Sequence, residues 1–248
     1  MEQSGNVPQK KKGLSGSTLK LIAIVTMFID HAAAAVLLRV LLSKGVVQEL
    51  YTAYWVMRYI GRIAFPIFCF QLVEGFDRTR SLKKYILRMA LFALATEIPF
   101  DLAFAGRPVY WRYQNVMFTL LIGLLTMLGF SLVEKTKLHI VLKVLCAGLI
   151  LAAGAGAAEL MHTDYGAIGI LCIMVLYVLR RKKILQILGG CISFAWEYTA
   201  PLAFIFIGLY NGKRGWRMKY FFYAFYPVHL LFLYLVCVLM GTAGISTI

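Results

Sequence analysis

The sequence predicts an all-α fold, a polytopic transmembrane helix bundle of about eight or nine spans with its N-terminus in the cytoplasm. Two observations lead to this class. The chain of 248 residues is 61% hydrophobic and only 15% charged, whereas soluble domains are about 45–50% apolar and about 25% charged. Apolar runs of about 20 residues also recur from Leu19 onwards, and a helix needs about 20 apolar residues to cross a bilayer.

The net charge of +15 follows from membrane topology, so we expect no nucleic-acid partner. Lysine and arginine cluster in the connections between apolar runs, as the positive-inside rule requires of cytoplasmic loops. The polar and basic start predicts a flexible cytoplasmic tail over residues 1–17, followed by a single transmembrane domain over residues 18–248. The clusters that mark the cytoplasmic side are Lys10–Lys12, Arg78–Lys84, Lys135–Lys143 and Arg180–Lys183.

Taken in chain order, the apolar runs predict seven clear spans and one ambiguous region. Region 184–210 lies between two strongly basic segments, so both of its ends should face the cytoplasm. Two short helices that turn near Glu197 to Pro201 would satisfy this and give nine spans with the C-terminus outside, whereas one long helix would give eight. We favour nine. The clear spans lie at about 18–42, 54–75, 82–100, 114–133, 138–158, 164–180 and 219–241.

Span one contains the stretch TMFIDHAAAAV, in which Asp30 and His31 interrupt an apolar run. They lie about 12 residues from the cytoplasmic end and therefore, at about 1.5 Å per residue, near the bilayer midplane. A charge at this depth costs about 2.5–3.5 kcal/mol, which indicates a functional site. Because adjacent helical residues do not face each other, we expect His31 to contact a different helix and Asp30 to pair with an arginine of span two.

Span two contains RYIGRIAFP, which places Arg58 and Arg62 on one helical face. Pro66 removes the hydrogen bond to the carbonyl of Arg62, so the helix should kink at the arginines. Two guanidinium groups within the bilayer need anionic partners. These partners are either structural carboxylates or groups of a substrate, and the sequence leaves both open. The candidate structural carboxylates are Asp30, Glu97 and Asp101.

Spans three, four and six add polar residues at the outer level. Glu97 and Asp101 lie four residues apart and share a face of span three. Gln114 and Asn115 open span four, and Asp164 opens span six. This convergence predicts a polar interior site in the outer half of the bundle.

The last span, FFYAFYPVHLLFLY, contains Tyr226 and His229. Its tyrosines are equally compatible with an interfacial aromatic belt, and His229 with a hydrogen-bonded core histidine. The five cysteines all lie in apolar runs, so we expect them to pack as small side chains without disulfides. We expect no metal site.

Six segments, in order along the chain, resemble the TraX family over about residues 19–235: LKLIAIVTMFIDH, RYIGRIAFPIFCFQLVEGF, RMALFALATEIPFDL, QNVMFTLLIGLL, YNGKRG and FFYAFYPVHLL. The family takes its name from a conjugative-plasmid protein that N-acetylates pilin, and it is distantly similar to the acyltransferase-3 family. The resemblance implies a multi-pass acyltransferase of the bacterial plasma membrane that transfers acetyl from cytoplasmic acetyl-CoA. The acceptor stays open between a peptide amine, a glycan and a lipid-linked sugar, and a homo-oligomer is compatible with the sequence.

Under this resemblance, His31 is the expected general base, since imidazole titrates near neutral pH. His229 is the rival base, with His31 as its structural partner. The remaining expected roles are orientation of the base by Asp30, Glu97 or Asp101; oxyanion stabilisation by Arg58, Arg62 or Asn115; substrate contacts by Arg58, Arg62, Gln114, Asn115, Asp164, Tyr226 and His229; and binding of CoA phosphates by Lys213, Arg214 and Arg217.

Two other classes of function also fit the sequence. Buried carboxylates and arginines on kinked helices would serve a transporter or a proton-coupled carrier. A structural assembly factor for an envelope complex would bind partners without catalysis. Release of CoA from acetyl-CoA distinguishes the enzyme from both.

Overall fold

The computed structural model describes residues 13–216 and 219–248, and its regular elements there are helices, which confirms the all-α prediction. The elements are α1 (Gly16–His31), a π-helical segment (Ala32–Leu37), α2 (Leu38–Lys44), α3 (Gln48–Gly61), α4 (Ala64–Arg78), α5 (Leu82–Ala105), α6 (Val116–Lys135), α7 (Ile140–Leu160), α8 (Gly166–Val178), α9 (Lys183–Ser193), a 3₁₀ turn (Ala200–Leu202), α10 (Ala203–Gly208) and α11 (Lys219–Leu239).

In the part of the chain that the structure describes, five helices are long and apolar enough to cross a membrane, which supports a multi-pass membrane protein. Helix α5 has 24 residues, but five of its side chains are charged and it is not one of these five helices. The total of eight or nine spans and their orientation stay predictions. The five helices are Gly16–Lys44, Gln48–Arg78, Val116–Lys135, Ile140–Leu160 and Phe221–Leu239.

The start of α1 lies slightly earlier than expected. Ser15 caps the helix, because its side chain accepts a hydrogen bond from the Thr18 amide at 3.2 Å. The predicted tail over residues 1–17 therefore ends before the first helical turn at Gly16. Residues 1–12, which include the Lys10–Lys12 cluster, lie outside the described residues.

The region 184–210 forms the predicted pair of short helices. Helix α9 has 11 residues and α10 has six, and the chain turns between them close to Glu197 and Pro201. At about 1.5 Å per residue, α9 spans only about 17 Å of a bilayer core about 30 Å thick. The pair is therefore short for two complete crossings.

Both ends of this helix pair lie at the end of the bundle where α1 begins. The Lys183 ammonium donates to the Tyr210 carbonyl at 3.3 Å. The Gly16 amide donates to the Lys213 carbonyl at 2.8 Å. The two basic loops therefore lie at the same end of the bundle, as expected. The side of the membrane that this end faces stays a prediction.

The kink predicted in span two is confirmed. Helix α3 ends at Gly61 and α4 begins at Ala64, with Arg62 and Ile63 in the break. Helix α1 packs against α3, α4 and α11, whereas α6 packs against α5, α7 and α8. The break in span two therefore lies against α1, beside Asp30.

Candidate functional site

His31 lies at the last position of α1, where the chain enters the π-helical segment Ala32–Leu37. Such segments are frequent at functional sites, because they shift the side chains that follow. The Nδ1 atom of His31 lies 2.7 Å from the Nε2 atom of His229. The two rings are nearly parallel, with an interplanar angle of 10° and centroids 5.0 Å apart. The predicted contact of His31 with another helix is confirmed, and it is with α11.

The hydrogen bonds assign the tautomers of this histidine pair. The Nδ1 atom of His229 lies 2.8 Å from the Phe225 carbonyl oxygen, and since a carbonyl only accepts, this nitrogen carries the proton. The Nε2 atom of neutral His229 then accepts from the Nδ1 of His31. The lone pair that can take a proton is consequently on the Nε2 atom of His31.

The carboxylates that we expected to orient His31 each have another partner through one oxygen, while the second oxygen of Asp30, Glu97 and Asp101 is buried without a hydrogen-bond partner among the described residues. Asp30 forms a salt bridge to Arg58 at 2.7 Å, which confirms the predicted pairing of span one with span two. Asp101 accepts a hydrogen bond from the Tyr110 amide at 2.7 Å and so holds the loop after α5. His229 occupies the position at Nδ1 where a carboxylate was expected.

Glu97 and Asn115 form a hydrogen-bonded pair, in which the Oε1 atom of Glu97 is buried without a partner among the described residues. The Asn115 side-chain amide donates to the Glu97 carboxylate and to the Ala93 carbonyl, the latter at 2.9 Å. Its side-chain oxygen caps α6 by accepting from the Met117 amide at 2.9 Å. Both amide hydrogens of Asn115 are used, so the expectation that it stabilises an oxyanion is wrong.

Arg62 forms a salt bridge to Glu197 at 2.8 Å. Glu197 lies in the turn between α9 and the 3₁₀ segment, and Thr199 in the same turn donates to the Tyr59 carbonyl at 2.5 Å. The turn of the short helix pair is thus fastened to the break in span two. The sequence predicts Glu197 at a turn and as one of the ionisable residues of the spans that pair across helices, but it does not identify Arg62 as its partner.

A small polar cavity of about 140 Å³ lies beside the histidine pair, and we call it the outer cavity after its predicted side of the membrane. Tyr113 donates to the Asp164 carboxylate at 2.7 Å. Burial and then the Asp164 charge raise the pKa of Tyr113, so its phenol stays protonated. The charged and polar residues that line the outer cavity are Asp30, His31, Tyr54, Arg58, Arg62, Tyr113, Asp164, Tyr165 and Thr247.

A larger cavity of about 760 Å³, the inner cavity, extends from the start of α1 to Met27. Gly16 and Met27 both line it, and 11 helical residues correspond to about 17 Å. Tyr210 lies at the end of the cavity near the start of α1, where burial and then the charge of Glu74 raise the tyrosine pKa to about 12. The cavity is basic at this end and apolar at the other. The basic residues that line it are Lys20, Arg78, Arg80, Arg88 and Arg214.

The two cavities share a wall made of Met27, Phe68 and Val116, which line both. His31 lines the outer cavity and Tyr226 the inner one, with ring centroids 5.9 Å apart. A group in the inner cavity and a group in the outer cavity can therefore approach each other beside the histidine pair.

Residues 15–237 match the family described as TraX protein. The chain belongs to the TraX family. A curated relative from Dichelobacter nodosus, named probable fimbrial assembly protein FimC, serogroup H1, is 28% identical over 249 residues, which cover 88% of this chain and 94% of the relative. No solved structure matches the chain.

Three other expected site residues of this TraX protein lie apart from the cavities. Gln114 donates its side-chain amide to the Trp111 carbonyl at 3.0 Å, and it lines neither cavity. His229 also lines neither, so its expected contact with substrate is replaced by its contact with His31. Asp101 is engaged with the loop, as described above, and it too lies outside both cavity walls.

The three cations expected to bind CoA phosphates have different outcomes. Arg214 lines the inner cavity. Lys213 does not, and its backbone carbonyl instead anchors the start of α1. Arg217 lies outside the described residues. Sequence analysis missed Lys20, Arg80 and Arg88 because each is also compatible with ordinary positive-inside topology.

The inner cavity has a buried cationic donor that suits an anionic ligand. The Nε atom of Arg88 is buried, and among the described residues it has no hydrogen-bond partner. Guanidinium groups bind phosphates through paired N–H donors. In the part of the chain that the structure describes, no group of three histidine, cysteine or acidic residues could hold a metal.

Proposed function

We propose that this TraX protein is an acyltransferase that moves an acetyl group from acetyl-CoA to an acceptor amine or hydroxyl within the membrane. The observation that carries the proposal is the pair of cavities that share a wall beside His31. One cavity is large and basic at its predicted cytoplasmic end, and the other is small and polar. Such a pair can receive two substrates from opposite sides and bring their reactive groups together.

The donor enters the inner cavity with its phosphates at the basic end. Arg88 has a buried, unpaired guanidinium nitrogen, and Arg214 and Lys20 line the same cavity. The thioester then lies at the apolar end, close to Met27. Exclusion of water from this end protects the thioester from hydrolysis.

The acceptor enters the outer cavity and meets the Nε2 atom of His31. This nitrogen takes a proton from the acceptor as the acceptor nitrogen or oxygen bonds to the acetyl carbon. The carbon–sulfur bond breaks, and CoA leaves as a thiolate that takes up the proton held by His31, which returns His31 to its neutral form. His229 keeps His31 in the required tautomer, much as an aspartate does in a catalytic triad.

Charged side chains of the outer cavity position the acceptor. Arg58 and Arg62 are held by Asp30 and Glu197, so their guanidinium groups have defined orientations at the cavity wall. Asp164 adds a carboxylate that suits an amine or a hydroxyl donor. The name of the relative, a fimbrial assembly protein, favours the N-terminal amine of an envelope peptide over a glycan as acceptor, in a bacterial plasma membrane.

The test is release of CoA from acetyl-CoA by the purified protein in lipid nanodiscs, with a short peptide amine as acceptor. Wild type should release CoA and acetylate the peptide, and His31→Ala should do neither. Equal rates for wild type and His31→Ala would remove the catalytic base and with it the proposal.

One observation favours a second candidate, a non-catalytic assembly factor. The relative's printed name describes assembly and not catalysis. A protein of this kind would bind an envelope subunit but would release no CoA from acetyl-CoA, whichever acceptor is present. The same assay therefore separates the two candidates.

A further inference from the structure

Tyr226 lies on α11 in the wall of the inner cavity. The residue is 7% exposed. Its ring centroid lies 5.9 Å from that of His31 and 5.6 Å from that of His229. Tyr226 therefore lies between the inner cavity and the histidine pair.

The hydroxyl of Tyr226 is buried and, within residues 13–216 and 219–248, it has no hydrogen-bond partner. An unpaired buried hydroxyl destabilises a fold, and native proteins rarely retain one without a reason. Phenylalanine would fill the same space without this cost. Because Tyr226 also lines the inner cavity, the unpaired hydroxyl points to a partner that comes from outside the chain.

Other donors near the histidine pair are already occupied. The guanidinium groups of Arg58 and Arg62 are ion-paired and line the outer cavity. Both side-chain amide hydrogens of Asn115 are used. Tyr226 is left as an unoccupied donor on the side where the thioester would lie.

We propose that Tyr226 is a catalytic residue that donates its hydroxyl hydrogen bond to the carbonyl oxygen of the acetyl thioester. This inference rests on the proposed acetyl transfer. As the acceptor bonds to the carbonyl carbon, the carbonyl electron pair moves onto oxygen, and the Tyr226 hydroxyl stabilises that negative charge. The pair returns as the carbon–sulfur bond breaks, so Tyr226 keeps its proton throughout, while His31 takes the proton of the acceptor.

The test compares Tyr226→Phe with wild type in nanodiscs, with acetyl-CoA, CoA and a short peptide amine as probes. Loss of one oxyanion donor costs about 10²–10³-fold in kcat, and we expect that loss here. The Kd of CoA should stay within about twofold of wild type, because CoA lacks the acetyl carbonyl. The unfolding temperature of Tyr226→Phe should not fall, because the hydroxyl removed has no partner in the fold.

Tyr177→Phe is the matched control. The hydroxyl of Tyr177 is also buried and unpartnered among the described residues, but Tyr177 lines neither cavity, so its removal should leave kcat unchanged. A Tyr226→Phe variant with wild-type kcat would overturn the inference and leave the proposed function standing. A wild-type protein that neither binds CoA nor releases it from acetyl-CoA would overturn both.

Discussion

At the scale of single residues, the histidine pair decides which nitrogen acts as the base. The Phe225 carbonyl sets the tautomer of His229, and His229 sets that of His31. The two histidines are therefore unequal although their rings touch. Under the proposed acetyl transfer, His31 takes the proton of the acceptor and His229 orients His31.

Alanine substitutions should reveal this inequality. His31→Ala removes the base and should lower the rate of CoA release by about 10²–10⁴-fold, the usual contribution of general base catalysis. His229→Ala leaves the base in place but frees its tautomer, so its loss should be smaller. Initial rates of CoA release check the order, with unfolding temperature as the control for folding. A larger loss for His229→Ala would make His229 the base.

A contact between consecutive spans could be predicted from the sequence, whereas a contact between residues far apart in the chain could not. The Asp30–Arg58 salt bridge followed from two charges at similar depth on consecutive spans. Arg62 was expected to find a carboxylate on span one or three, but its partner is Glu197, 135 positions further along the chain. Helical periodicity describes which face a residue occupies, but it does not describe which turn will lie against that face.

At the scale of helices, α1 and α3 approach closely because one residue in the contact has no side chain. A Cβ atom added at Gly61 would lie 2.2 Å from the Cβ of Asp30. Any larger residue must push α3 away from α1. That movement would also displace Arg58 from Asp30, since Arg58 precedes Gly61 by three residues.

Gly61→Ala should therefore destabilise the protein by about 1–3 kcal/mol, the usual cost of overpacking. Gly148→Ala on α7 is the control, because nothing lies within 4 Å of its added Cβ and alanine favours a helix. Thermal unfolding in detergent measures both. Equal unfolding temperatures for the two variants would show that the α1–α3 contact is not tight.

The helix pair α9 and α10 shows what patterns can predict for an element. Basic residues flank the short apolar region 184–210, so the chain was expected to return to the side of the membrane from which it entered. The turn lies near Glu197, as expected. The π-helical segment after His31 was not predictable. It depends on how consecutive alanines pack against α3 and α11, which composition does not encode.

At the scale of the whole molecule, one fully buried arginine joins several distant parts of the chain. Arg39 is 0% exposed. It donates to the Ile245 carbonyl at 2.6 Å and the Ala103 carbonyl at 2.7 Å, and to the Cys237 sulfur at 3.1 Å. Sequence analysis could place Arg39 in a span but not foresee that backbone carbonyls would be its partners.

Arg39→Met should leave the buried Ala103 carbonyl and the part-buried Ile245 carbonyl without this donor, and the buried one should cost about 1–3 kcal/mol. Arg107→Met is the control, since Arg107 is exposed and surface substitutions usually change stability by about 0.5 kcal/mol or less. Unfolding temperatures of both variants provide the measurement. An Arg39→Met protein as stable as Arg107→Met would mean that these carbonyls find other donors.

The orientation of the bundle has its own test, by labelling of single introduced cysteines in intact cells. Lys213→Cys lies beside the start of α1 and should react with an impermeant maleimide only after lysis. Trp111→Cys, at a position 82% exposed in the loop after α5, should react in intact cells. Wild type gives the background of the five native cysteines. Reaction of both variants from the same side would contradict the predicted topology.

The central claim is that two cavities with a common wall bring an acyl-CoA and an acceptor together at His31. The most direct measurement is a cryo-electron microscopy map of the protein with CoA at saturating concentration. The claim predicts CoA density in the inner cavity, with the phosphates beside Arg88 and Arg214 and the sulfur beside Tyr226. Density for CoA elsewhere on the protein, with the inner cavity filled by lipid or protein side chains, would contradict it.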